Sequence, residues 1–230
     1  MQVTLYGIFI GIHLGDGSIP KFKRPRYIWE AREQHFEVAV KIKEIIKEVF
    51  KIEPRIRKVG NVYVVEVQSK EFWWILTEEI GFPEGPKWEK IKIPKYLSSE
   101  TKIGVINGLI GADGVIFSDT KTNAPRIRIK MRSENIIKEM SKILRDNNIR
   151  HTLNFSIEKS KVPTSNTPYI RKFWRIDIFG RSVLKLREIM GEFWNPLQER
   201  KFRNILQKWA RATENRCPRL VALGGWENPP

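Results

Sequence analysis

One pattern, used twice, constrains this chain more than anything else in it. YGIFIGIHLGDGSI at 6–19 and IGVINGLIGADGVI at 103–116 each set glycines inside an apolar helical stretch and close it with an aspartate. Asp16 and Asp113 lie 97 residues apart. An interior glycine costs a helix about 1 kcal/mol relative to alanine, and an aspartate at a helix C-terminus faces the negative end of the macrodipole. Two such helices need a common reason. In the first copy Gly7, Gly11 and Gly15 recur every four residues, and Gly104, Gly108 and Ala112 repeat that spacing in the second. Four-residue steps keep small residues on one face, so the two helices can pack backbone to backbone, side by side and parallel, with both aspartates at the shared end. Gly17 and Gly114 are expected to end the helices in the left-handed conformation. Two neighbouring carboxylates at two negative helix ends repel each other, and a hard divalent cation bound mainly through oxygen and water would reverse that repulsion.

The segments after each copy match in order. The first copy leads into a basic β-prone segment ending in PRYIWEAR, the helix FEVAVKIKEIIKEVF (36–50), the runs PRIRKV and NVYVVEV around a Gly60–Asn61 turn, and a helix near 70–80. The second leads into APRIRIKMR (124–132), the helix SENIIKEMSKILRDNN with Ser133 as N-cap, the runs HTLNFSIEKS and FWRIDIF, and the helix RSVLKLREIM. The expected fold is α+β, a pseudo-twofold duplicated αββαββα plan with two antiparallel sheets and paired central helices. Its halves are 1–100 and 101–217, the latter with an extra helix, and an extended tail occupies 218–230.

Charge obeys the same plan. The formal net charge is +16, and the segments 18–32, 54–68, 114–132 and 150–180 carry +14 of it. These are the four strand pairs, so the sheets hold the cations while the helices form the core. Along 126–131, Arg126, Arg128 and Lys130 alternate with Ile127, Ile129 and Met131, which puts three cations on one strand face. Basic two-stranded ribbons fit the major groove of duplex DNA, whereas that of A-form RNA is too narrow for them. The candidate DNA-contacting residues are Lys21, Lys23, Arg24, Arg26, Arg32, Arg55, Arg57, Arg126, Arg128, Lys130, Arg132, Lys159, Lys161, Arg171, Lys172 and Arg175. Residues 101–230 carry +13 against +3 for 1–100, so the second half is expected to grip DNA more strongly.

Other chemistries fall away. One cysteine, Cys217, allows no internal disulfide framework and no zinc site. The apolar run Val3 to Leu14 is shorter than a bilayer span and has neither a basic n-region nor a cleavage site. The expectation is an intracellular protein, cytoplasmic or organellar, with no membrane partner and no signal peptide. His13, His35 and His151 share no ligand spacing and read as packing or surface residues, and Trp73 and Trp74 as core.

FIGIHLGDG (9–17) and INGLIGADG (106–114) resemble the motif of the LAGLIDADG homing endonucleases, in the single-chain, two-motif form, and the likeness extends over nearly the whole chain. The sixth motif position, often Asp in that family, is Leu14 and Gly111 here. The resemblance implies a homing-endonuclease fold and a monomer. It implies site-specific hydrolysis of both strands of a long, asymmetric DNA target across the minor groove, leaving 3′ overhangs, by an enzyme encoded in a mobile intron. Asp16 and Asp113, with the carbonyls of Gly15 and Ala112, would hold Mg2+, with Mn2+ as a substitute and Ca2+ as a non-catalytic one. The basic residue completing each site would be Lys90 or Lys92 in the first half and Arg200 or Lys201 in the second, with Lys90 and Lys201 preferred. Arg32 and Arg132 are further candidates for phosphate contact. The alternative on the same scaffold is an intron RNA maturase or a DNA-binding protein that does not cleave.

Overall fold

The computed structural model describes residues 4–24, 26–87, 90–161 and 168–214; the tail assigned to 218–230 lies outside them. The first half runs α1 (Leu5–Gly15), β1 (Gly17–Ser18), β2 (Ile28–Glu33), α2 (Phe36–Phe50), β3 (Arg55–Val59), β4 (Val62–Gln68) and α3 (Lys70–Trp74). The second runs α4 (Ser99–Asp113), β5 (Gly114–Ser118), β6 (Pro125–Met131), α5 (Glu134–Asp146), β7 (His151–Lys161), β8 (Pro168–Phe179) and α6 (Arg181–Met190), with α7 (Pro196–Glu214) after it. Each half forms one four-stranded antiparallel sheet, ordered β1-β2-β4-β3 and β5-β6-β8-β7. The duplicated plan read from sequence is therefore the fold.

The repeat extends to side chains. Val38, Ala39, Ile42, Ile45 and Ile46 of α2 are buried, and so, 98 residues on, are Ile136, Ile137, Met140, Ile143 and Leu144 of α5. These are the i, i+4, i+7 positions of an amphipathic helix laid on a sheet. Ser133 caps α5 as expected, accepting from Ile136 N at 3.4 Å. The helix expected over 70–80 is α-helical only to Trp74 and then widens into a π-helical turn over Ile75–Glu79. There Thr77 Oγ1 donates to the Trp73 carbonyl at 3.1 Å, a back-bond that loosens a helix. Trp73 packs against the core, whereas Trp74 is half exposed.

At the centre, α1 and α4 lie against each other, apolar and buried on all sides over Gly7–Leu14 and Ile103–Gly111. The glycines set their separation. A Cβ built on Gly7 would stand 2.2 Å from the Thr101 carbonyl oxygen, and one on Gly11 2.3 Å from that of Val105 and 2.6 Å from Gly108 Cα. Glycine thus lets the two backbones meet, and the burial of both helices offsets the propensity loss.

The expectation for Gly17 and Gly114 needs correction. Neither is left-handed; Gly114 has φ −85° and ψ 157° and already begins β5. A Cβ on Gly114 would lie 2.4 Å from the Ile110 carbonyl oxygen, and one on Gly17 2.6 Å from His13 Cα. Close approach demands glycine at both positions. Gly111 answers to the same cause, because a Cβ there would sit 1.9 Å from Trp194 Nε1, the indole that donates to the Gly108 carbonyl at 3.1 Å.

Candidate active site

The parallel packing of α1 and α4 brings both aspartates to one end. Asp16 caps α1 in the right-handed region, its N–H bonded to the Ile12 carbonyl at 2.9 Å, and Asp113 is the last residue of α4. A Cβ on Gly15 would meet Ala112 Cβ at 2.6 Å and Asp113 Oδ2 at 3.2 Å, so the Asp113 carboxylate lies directly across the helix contact. Both acids are held above their ordinary range. For Asp16 burial is the main cause, opposed by Lys87 and by a hydrogen bond with Glu33. Asp113 is pushed up to about 6, first by burial and then by the charge of Asp16. Asp113 also keeps an exposed side, so solvent tempers that shift. Glu33, at the end of β2, shares a hydrogen bond with Asp16 and is itself raised, by burial and then by that neighbour.

The cation between them is Lys87. Its ammonium is buried and donates to three backbone carbonyls at the end of α1: His13 at 2.6 Å, Gly15 at 2.5 Å and Gly17 at 2.6 Å. Burial lowers its pKa to about 8, while Asp113 and then Asp16 oppose that shift. A cleft of about 390 Å³ opens here, lined by Asp113 and Lys87 together with Lys130, Arg132 and Arg171. In the second half Gln198 takes the comparable place, its amide donating to the carbonyl of Gly114 at 2.8 Å and weakly to that of Gly111 at 3.5 Å, which Asn195 also caps at 2.8 Å.

Neither preferred basic residue lines the cleft. Lys90 is exposed in the turn after Lys87, and Lys201 is exposed on α7. Lys92 is exposed as well, and Arg200 forms a bidentate pair with Glu37 at 2.7 Å, tying α7 to α2. Lys87 has no local signature: nothing in EGPKW marks its lysine as one that will find three carbonyls. Glu33 is equally hidden in the sequence, since its place depends on the register Gly17↔Ala31. His13, as expected, packs: its Nδ1 accepts from Trp29 Nε1 at 2.9 Å and its ring stacks on Phe82 at 3.9 Å. Burial keeps it neutral by holding its pKa well below the usual value.

Among the described residues, no three His, Cys, Asp or Glu side chains converge as a metal-holding group. Asp16 and Asp113 nonetheless suit a hard divalent cation. They are two mutually repelling carboxylates, and such an ion would take its remaining oxygens from water and substrate.

The sheets present their cations away from the helix layer. Arg32, Arg55 and Arg57 share one face of the first sheet with Glu30 and Glu66, and ion pairs join Arg32 to Glu30 at 3.0 Å and Arg57 to Glu66 at 3.3 Å. Arg126, Arg128, Lys130, Arg171 and Arg175 share the matching face of the second. There Arg128 and Arg175 both reach Asp177, at 2.6 and 2.7 Å, and Lys130 pairs with Glu158. Arg126 lies over Phe179, Arg128 over Phe117 and Lys130 over Phe173. Lys172 departs from the expected set, because alternation places it with Trp174 and Ile176 on the helix side. Lys21, Lys23, Arg24 and Arg26 are exposed on the β1–β2 connection. Lys159 and Lys161 belong to the β7 register, but their side chains lie outside the described part.

No protein-family model and no curated protein matches the sequence. Solved structures do. A structure of mesophilic variants of the homing endonuclease I-DmoI aligns with a TM-score of 0.56 at 17% identity, over 81% of this chain and 94% of that one. I-DmoI in complex with DNA and Ca aligns at 0.55 and 17%, over 84% and 92%. The chain has the fold of the LAGLIDADG homing endonucleases. Full-length DUF199/WhiA from Thermatoga maritima aligns at 0.55 and 14%, over 93% of this chain and 61% of that one. No helix among the described residues is long and apolar enough to cross a membrane.

Proposed function

We propose that this chain is a site-specific, metal-dependent DNA endonuclease that binds a long asymmetric duplex as a monomer and cuts both strands, leaving 3′ overhangs. The observation that carries this reading is the convergence of Asp16, Asp113 and Lys87 at the shared end of two helices, between two sheets whose outer faces carry cations. Arg32, Arg55 and Arg57 on one side and Arg126, Arg128, Lys130, Arg171 and Arg175 on the other hold backbone phosphates and fix the duplex over the helix ends. Asp16 and Asp113 would hold the divalent ion, Mg2+ or Mn2+, which would supply Lewis acidity at phosphorus and lower the pKa of water. Lys87 sets a positive charge beside the phosphate, where negative charge grows during displacement. Its three carbonyl bonds fix the ammonium before substrate arrives. The similarity to DNA-bound I-DmoI, solved with Ca and with Mn, supports both the duplex partner and the metal. Encoding by a mobile intron fits the same resemblance.

The likeness to DUF199/WhiA favours one second reading, a duplex-binding or intron-RNA-binding protein that does not cleave. Selection of cleaved sequences from a random duplex library in Mg2+ separates the two. The endonuclease reading expects a recovered site cut on both strands, with cutting abolished and binding retained in Asp16→Asn and in Asp113→Asn. Undiminished cutting in both variants, or no cut site in Mg2+ or Mn2+, would refute it.

A further inference from the structure

The face that the second sheet turns away from the helices carries a carboxylate near its middle. Asp177 on β8 stands opposite Arg128 on β6, and its side chain is 4% exposed. A buried acid weakens a surface meant for a polyanion, so its place there needs a reason. Two arginines converge on it. Arg128 donates from Nε to Oδ1 at 2.6 Å, while Arg175 brings its Nε to 2.7 Å from Oδ2, out of line with the N–H. The Arg128 guanidinium also lies over the Phe117 ring, 5.2 Å from its centre. A charge-assisted bond at Nε and a ring beside it together fix how that guanidinium is turned. Its two Nη groups, at the far end of the fork, have no hydrogen-bond or ion-pair partner among the described residues.

Other paired cations of the two sheets are held differently. Arg126 meets Asp119 through Nη2 and Lys130 meets Glu158 through Nζ, so the acid occupies the group that would reach a ligand. In the first sheet Glu30 pairs with Glu66 as Arg128 pairs with Asp177, and Gly17↔Ala31 matches Gly114↔Ile129, which makes Glu66 the counterpart of Asp177. Glu66 takes Nη2 of Arg57 as well as Nε, both at 3.3 Å. Asp177 takes only the Nε of Arg128. Beside Arg128 on the same face, across the β5–β6 pair, stands Val115, half exposed. An apolar side chain offers nothing to a phosphate and suits contact with base edges.

Building on the duplex-binding part of the proposed function, we infer that Asp177 is a positioning residue for base recognition: it holds Arg128 so that its paired Nη groups meet O6 and N7 of one guanine in the major groove. Two donors matched to two acceptors discriminate best when the fork is already oriented, because an arginine free to swing pairs as readily with a phosphate. Arg175 balances the second carboxylate oxygen and leaves the cluster with a net positive charge toward DNA.

The test is binding, in Ca2+, of the full chain to duplexes selected from a random library, followed by affinities for all four bases at each position of the recovered site. The expected result is one position at which guanine is preferred about tenfold or more. Asp177→Ala should reduce that preference to about threefold or less and leave the preferences elsewhere in the site unchanged. Asp177→Asn, of the same size and with an oxygen that still accepts from Nε, should fall between the two, and it carries the test if a thermal melt shows D177A unfolded. Arg128→Lys should flatten the same position, while the salt dependence of binding, which counts charges, stays as in the wild type. An aspartate that merely braces the sheet would weaken every position together. Such a uniform loss, full guanine preference in every Asp177 variant that folds, or flattening of a different position by R128K, overturns the inference. Failure to recover any preferred duplex overturns it together with the duplex reading, whereas binding without cleavage in Mg2+ or Mn2+ removes the endonuclease reading alone.

Discussion

Replacing Gly11 by alanine isolates what the central helix pair does. In a helix that merely tolerates its glycine, the change should stabilise the protein by about 1 kcal/mol. Here the new methyl would stand 2.3 Å from the Val105 carbonyl oxygen, 2.6 Å from Gly108 Cα and 2.7 Å from Leu109 N. All three are backbone atoms, so no side-chain rotation makes room. Reaching ordinary contact near 3.4 Å requires the helices to part by roughly 1 Å. Overpacking of a well-filled interior costs about 1–3 kcal/mol, and subtracting the propensity gain of about 1 kcal/mol leaves a net loss of up to about 2 kcal/mol. Urea unfolding at fixed temperature measures it, with an unchanged m-value expected. Gly108→Ala should cost a similar amount, and the double variant less than the sum, because helices already parted by the first methyl admit the second. The same 1 Å displaces Asp113 from Asp16, so cleavage should fall by about 10²-fold, more than the stability change implies. A stabilised Gly11→Ala protein, or strictly additive losses in the double variant, would refute the packing argument.

Two further outcomes rest on charge. Asp113 titrates near 6, and a metal ligand must be deprotonated. Affinity for Ca2+, measured by calorimetry, should fall about tenfold per unit as pH drops below 6; a flat profile between pH 7 and pH 5 would exclude Asp113 as a ligand. On the first sheet, Glu30 and Glu66 occupy Arg32 and Arg57 on the face offered to DNA. Glu66→Gln should therefore tighten duplex binding, by about threefold at roughly 50 mM salt, with the gain fading by about 500 mM as screening shortens its reach. Weaker binding in E66Q would mean that the Glu66–Arg57 pair positions Arg57 instead of withholding it.

The scaffold was legible because it is written as periodicity and repeats. Glycines every four residues, alternation along 126–131 and the i, i+4, i+7 stripes of α2 and α5 are local patterns, and duplication printed each of them twice. The placement of the aspartates at one end could be read from the same pattern, since matching small residues on both helices set them side by side and parallel. Residues whose roles depend on distant chain segments were hidden. Lys87 reaches carbonyls at least 70 positions away, and one more lysine among 42 basic residues carries no local mark. Lys172 lies on a different strand face from its neighbours in the expected set for a related reason. Charge counting treats a hairpin as one pool, whereas strand alternation divides Arg171 and Arg175 from Lys172. Gly17 and Gly114 had a sound identity and a wrong cause, because a glycine after a helix serves equally a left-handed turn or a crowded backbone, and only the contacts distinguish them.

The halves kept in common those residues that hold the two backbones together, and diverged where side chains meet solvent or substrate. Gly7 meets Gly104, Gly11 meets Gly108 and Gly15 meets Ala112. Any enlargement on one helix displaces the other, so both copies are bound by the same steric limit. No such reciprocity links Lys87 to Gln198 or Glu33 to Met131, since each touches its own half's helix end or strand. A duplicated chain is therefore free to make its two clefts chemically different while its helix contact stays symmetric. A homodimer of one half could not, because a single substitution there appears in both sites. A difference between the two helix ends, such as Lys87 at one and Gln198 at the other, is available only to a fused chain.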